Sequence, residues 1–201
     1  QELAPQKQKS MKSRELILQR IQLAQPDLHP LPPNHSSPDD GKNLIADFER
    51  ALRSIGGMVH QVNNKQEALK QLKELFPEGR IVHIDKPDTD EKLHHDTVPH
   101  TLDDVKLAIL STPLGVSENG AVWITDHECK VRALPFIAEN LAILIHANAI
   151  VGNLHEAYKK TQDAEYDFGV WIAGPSKTAD IEQSLVLGAH GSRSMHVFIL
   201  P

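Results

Sequence analysis

The chain has 201 residues, 40% hydrophobic and 24% charged, with 21 Lys plus Arg against 27 Asp plus Glu and a formal net charge of −6. That length suits one main domain able to bury most of its surface, and the acidic balance, unrelieved by any basic run, excludes nucleic acid as a partner. Cys129 is the only cysteine, which excludes an internal disulfide and any all-cysteine zinc or iron–sulfur site within this chain.

The opening QELAPQKQKS is polar and unpatterned, so residues 1–10 read as an expression remnant or a disordered extension. Residues 11–38 read as an arm. Ile17, Ile21 and Ala24 recur at helical spacing, widened by Leu16, Leu18 and Leu23, and five prolines between positions 26 and 38 then make an extended linker. The compact domain is expected over 39–201. No apolar run approaches the roughly 20 residues that span a bilayer, and the N-terminus has no secretory h-region. A cytoplasmic protein with no membrane span is therefore expected.

Asp39 and Asp40 are candidate caps for a helix whose face is Leu44, Phe48, Leu52 and Ile55, ended by Gly56-Gly57. The strand MVHQV follows, then a helix with the face Ala68, Leu69, Leu72 and Phe76, then the strand RIVHI. Residues 85–104 are acidic and rich in histidine, and read as an exposed loop and a candidate lid. Beyond it the pattern predicts strands VKLAILS, AVWIT and LAILIHA, a helix over 151–160, the strand GVWIAG, a helix over 178–187, and the strand HVFIL. Helix and strand alternate, and several strands are apolar on both faces. This is the pattern of a three-layer α/β/α sandwich around a mostly parallel sheet.

The densest chemical segment is GPSKTADIEQSLVLGAHG, positions 174–191. After the turn at Gly174, the side chains of Ser176, Thr178 and Asp180 are successive helix caps; they either satisfy orphan amides or form an anion pocket at a helix N-terminus. His190, between two glycines, is an acid, base or anion contact, or a helix C-terminal cap; Arg193 is a carboxylate contact or a solvated side chain. There is no Walker loop and no dinucleotide fingerprint.

Glu118-Asn119-Gly120 admits two readings: a turn before a strand, or a carboxylate nucleophile toward a thioester with Gly120 giving the substrate backbone access. His94, His95 and His100, the run Asp126-His127-Glu128-Cys129, and His155-Glu156 all lack HExxH or paired CxxC spacing, so no metal site is assigned. There is no G-x-S-x-G elbow.

MKSRELILQRI, GVSENGAVWI followed by Arg132 and Leu134-Pro135, and GPSKTADIEQSLVLGAHGSRSMHVFIL together resemble the LUD-domain family of lactate utilisation proteins, in particular its small protein C type. The resemblance runs from about Met11 to Leu200. It implies a fold similar to the NagB/RpiA/CoA-transferase-like group, and a role in oxidising L-lactate to pyruvate beside two iron–sulfur partner proteins. On that footing the chain is a substrate-handling or accessory subunit that holds no cofactor itself, and its ligand is a small carboxylate or hydroxy acid. Asn119, Gly120, Arg132, Gly174, Ser176, Thr178, Asp180 and His190 are the substrate-binding candidates, with Glu118 the catalytic one. The family usually carries Ala-Glu-Thr-Gly where this chain has Ser-Glu-Asn-Gly, and the latter looks like the segment of class I CoA-transferases whose glutamate is the nucleophile. The alternative is thus a stand-alone acyl-CoA transferase-like enzyme using Glu118. A sugar-phosphate isomerase draws on fold analogy alone.

Overall fold

The computed structural model describes residues 13–27, 29–30, 43–84, 93–178 and 186–201. The chain divides into two units, 1–35 and 36–201. The first contains helix α1 (Ser13–Leu23), which has no buried residue. In the second, the elements in order are α2 (Leu44–Ser54), β1 (Met58–Gln61), α3 (Lys65–Leu75), β2 (Arg80–His83), β3 (Val105–Ser111), β4 (Gly115–Val116), β5 (Ala121–Thr125) and α4 (Asp126–Cys129). There follow α5 (Leu134–Ile137), β6 (Asn140–His146), β7 (Ile150–Val151), α6 (Leu154–Thr161), β8 (Gly169–Ile172), β9 (Lys177–Thr178), β10 (Val186–Leu187) and β11 (Ser194–Leu200).

Five strands form a parallel sheet in the order β1-β11-β6-β3-β2. Burial on both faces is what lets the central strands β3, β6 and β11 read as largely apolar runs. On one face Leu107, Ile109, Ala142, Leu144 and Phe198 pack against Ala68 and Leu72 of α3. On the other, Leu110, Leu141, Ile143 and Val197 share a core with Phe48 and Leu52 of α2 and Leu134 of α5. The expected α/β architecture, a mostly parallel sheet with helices on both sides, is therefore present.

Local chemistry explains the element ends. The α2 cap is Asn43, whose Oδ1 accepts the Ala46 N–H at 3.2 Å; Asp39 and Asp40 lie outside the described residues. At the other end Gly56 N–H donates to Arg53 O and Gly57 N–H to Leu52 O, the paired bonds of a Schellman stop.

Three expectations are corrected. AVWIT and GVWIAG do not join the parallel sheet; β5 and β8 pair antiparallel in a separate four-stranded sheet of order β7-β4-β5-β8. That sheet buries Val122 and Ile124 against the main core, and Trp123 against Trp171 at a ring separation of 4.8 Å. β5 is buried throughout and β8 partly, and periodicity alone does not distinguish such strands from members of the main sheet. The helix expected over 178–187 is not formed at its described ends: Thr178 pairs antiparallel with Val186 in a two-stranded ribbon. The acidic segment before β3 also contributes to the core, because Leu102, in a 3₁₀ turn, is fully buried. Its neighbours are held by Arg80, which donates to Thr101 O at 2.6 Å and pairs with Asp104.

Candidate functional site

Glu118, Asn119 and Gly120 form the turn between β4 and β5. Asn119 Oδ1 accepts the Ala121 N–H at 3.0 Å, an Asx arrangement that closes the turn locally. Gly120 has φ +70, and a Cβ there would lie 2.8 Å from the backbone of Leu52, so the turn seats directly on α2. Glu118 is exposed, and its Oε2 accepts the Leu154 N–H at 3.2 Å, at the first turn of α6. Ser117 is buried and ties the same place down, donating from its hydroxyl to Gly152 O at 3.0 Å.

The pairing of Val122 with Ile172 sets the register of β5 and β8, and continued past the strand ends it places Gly120 opposite Gly174. Gly174, with φ +75, lies against Ile55 at the end of α2. Two segments far apart in sequence, SENG and GPS, therefore meet one helix end. Beyond Gly174, Ser176 N–H donates to Ser192 O at 2.9 Å, and the Ser176 hydroxyl accepts the His190 N–H at 3.4 Å. The GPSKT and GAHG parts of the sequence signature are thus in contact through Ser176. Thr178 sits in β9 and is not a helix cap; Asp180 lies outside the described residues.

His190 and Arg193 line a cleft of about 640 Å³ with Glu139 on its wall. Glu139 is occupied: Lys106 Nζ donates to its two oxygens at 2.8 and 2.9 Å, and Arg193 approaches at 3.5 Å. The Lys106 ammonium, hydrogen-bonded to Glu139, holds that carboxyl below its usual range. Arg193 is accordingly part of an ion cluster in front of β6.

Arg132 lines a separate cleft of about 1140 Å³, with Asp126, His127, Lys130 and Tyr166 among its walls. The local fold explains its position. Thr125 caps α4 in a capping box with Glu128, the helix lasts one turn, and Lys130, at φ 56 and ψ −48, reverses the chain in a tight turn that Val131 N–H closes on Cys129 O at 2.6 Å. Arg132 is thereby returned over the residue that opened the turn: its Nη2 stands 3.8 Å from Asp126 Oδ2 and 3.9 Å from Asp167 Oδ2. Both separations exceed a hydrogen bond. The guanidinium also stacks over Phe168 at 5.7 Å. Asp126 is buried, and its Oδ1 has no hydrogen-bond partner among the described residues. By motif Asp126 is only part of a metal-like run; the Thr125-Asp126-His127-Glu128 capping signature is the signal that it opens a turn.

Cys129 is fully buried, and burial, reinforced by the Asp126 carboxylate, pushes its thiol up to about 11. Among the described residues no group of three or more His, Cys, Asp and Glu comes close enough to hold a metal ion. Nor is any helix among them long and apolar enough to cross a membrane.

The five-stranded parallel sheet, its flanking helices and the Arg132 cleft define an α/β protein with a wide cleft bearing charged side chains. The LUD domain model matches residues 83–200, and the chain belongs to that family. It is 30% identical over 91 residues to Lactate utilization protein C of Bacillus pumilus (strain SAFR-032), a match covering 42% of this chain and 38% of that protein. A crystal structure of a DUF162 family protein from Deinococcus radiodurans is similar at a TM-score of 0.58, with 17% identity, covering 79% of this chain and 96% of that one. The latter likeness is one of fold.

Proposed function

We propose that this chain handles a small 2-hydroxy acid as a substrate-binding or accessory subunit of an L-lactate utilisation system, beside two iron–sulfur proteins that carry the electrons. The observation that carries the reading is Arg132. Its guanidinium stands at a cleft wall, makes no hydrogen bond to another described residue, and approaches its two carboxylate neighbours only at 3.8 and 3.9 Å. A planar cation with unspent paired donors is suited to a carboxylate ligand. The likeness to Lactate utilization protein C supplies the class of acid. The single cysteine, buried as a thiol, leaves cluster chemistry to the partners.

The test is L-lactate oxidation by the reconstituted three-protein system. Activity should fall strongly when this chain is omitted, and also when Arg132→Gln replaces it. Oxidation undiminished without the chain would sink the proposal.

The second reading, a stand-alone acyl-CoA transferase-like enzyme, has the Ser-Glu-Asn-Gly likeness in its favour. Against it, Glu118 is exposed and engaged with the start of α6. Incubation with an acyl-CoA and trapping by hydroxylamine would reveal an adduct on Glu118 if this reading held.

A further inference from the structure

Asp126 is a buried acid short of partners. Its Oδ2 faces the Arg132 guanidinium across 3.8 Å, and its Oδ1 is shut from solvent with no donor among the described residues. Its side chain is 9% exposed, against 57% for Arg132, so the acid is set into the wall and the base leans over the cleft. An unsatisfied buried acceptor costs about 1–3 kcal/mol; Oδ1 is closed to any ligand, and the oxygen that a donor in the cleft can meet is Oδ2, which makes no hydrogen bond among the described residues. The remaining hydrogen bonds of the turn do not draw on the carboxylate. Lys130 N–H donates to Asp126 O, and Asp126 N–H to Phe168 O, both through the backbone. The side chain is therefore not needed to build α4, whose cap is Thr125.

The geometry points to a divided recognition site: Arg132 binds the carboxylate of a 2-hydroxy acid, and Asp126 accepts the hydrogen bond from its hydroxyl. On a 2-hydroxy acid the two groups sit on adjacent carbons, so a ligand that meets the guanidinium edge-on carries its hydroxyl toward the neighbouring carboxylate. A 2-oxo acid has no such donor and presents its oxygen to an acid. Asp126 thereby selects the hydroxy acid over the oxo acid. This rests on the reading of Arg132 as the carboxylate contact.

The experiment is a ligand-observed NMR titration of the full chain with L-lactate, pyruvate and propionate, which share the carboxylate and the three-carbon skeleton. In the unsubstituted protein L-lactate should bind about tenfold tighter than propionate or pyruvate, the discrimination expected when a charged acceptor is satisfied or left unpaired. Asp126→Ala should bring the lactate-to-propionate ratio to within about twofold of unity. Arg132→Gln should weaken all three acids together. Equal binding of lactate and propionate by the unsubstituted protein overturns the role of Asp126 without needing a folded variant. An unchanged ratio in Asp126→Ala overturns it while the Arg132 reading stands. If the unsubstituted protein binds none of the acids, or Arg132→Gln leaves binding intact, the carboxylate reading itself fails.

Discussion

Glu118 Oε2 accepts the backbone N–H of Leu154 at 3.2 Å, so the acid of the Ser-Glu-Asn-Gly segment meets the first turn of α6. A carboxylate there satisfies an amide that the helix leaves unpaired and complements the positive end of its dipole. Glu118→Ala should lower stability by about 0.5–1 kcal/mol, and Glu118→Gln by less. Urea unfolding of the two variants checks the order. Lactate-dependent activity of the reconstituted system should survive both substitutions; abolition by the isosteric Glu118→Gln would return the glutamate to a chemical role.

Gly120 permits a contact that no other residue tolerates. Its φ of +70 disfavours a side chain, and a Cβ would stand 2.8 Å from the Leu52 backbone, which is held inside α2 and has no room to retreat. Gly120→Ala should destabilise by about 2–4 kcal/mol through strain and overpacking together. The shift in the urea midpoint measures it, and a loss below about 1 kcal/mol would show that the turn does not seat on α2 as described.

His60 and His196, 3.1 Å apart between Nε2 and Nδ1, form a neutral stacked pair on β1 and β11. Burial, then the neighbouring His60, lowers His196 to about 4; burial, then Arg53, lowers His60. The unfolded chain therefore takes up protons first as pH falls. The pair's contribution is fully present above pH 6.5 and is lost progressively toward pH 4. The stability difference between the unsubstituted protein and His196→Gln should be largest near neutral pH and shrink on acidification. Urea titrations at several pH values across that window check it, and a difference independent of pH would contradict the assignment.

Cys129 should be inert in the folded protein. Its thiol is fully buried and raised to about 11, so little thiolate forms at pH 8 and none is accessible. Ellman's reagent should report no reaction under native conditions and one thiol after denaturation. Rapid native labelling would mean that the α4 turn opens.

Much of the fold was legible because burial leaves a plain trace. VKLAILS and AVWIT match β3 and β5 to the residue, since a strand covered on both faces is apolar along most of its length. The helix expected over 178–187 is absent at its described ends, where Thr178 pairs with Val186 as strand, because Ser and Thr favour turns and ribbons as readily as helix starts. Asn43 displaced Asp39 and Asp40 as the α2 cap for a similar reason: several capping residues precede the helix, and only the backbone path selects among them.

The sequence by itself determined the α/β class, the helix-covered parallel strands and the family, because periodicity, turn residues and local signatures are properties of neighbouring positions. Which strands left the main sheet for a second one was decided only in three dimensions. So were the seating of Gly120 against Leu52 and of Gly174 against Ile55, and the contact of Ser176 with His190. The candidate site shows the same division. Arg132 was visible as a residue type, but its approach to Asp126 arises from the tight reversal at Lys130, and the unsatisfied Oδ1 of Asp126 depends on what the folded chain brings near it.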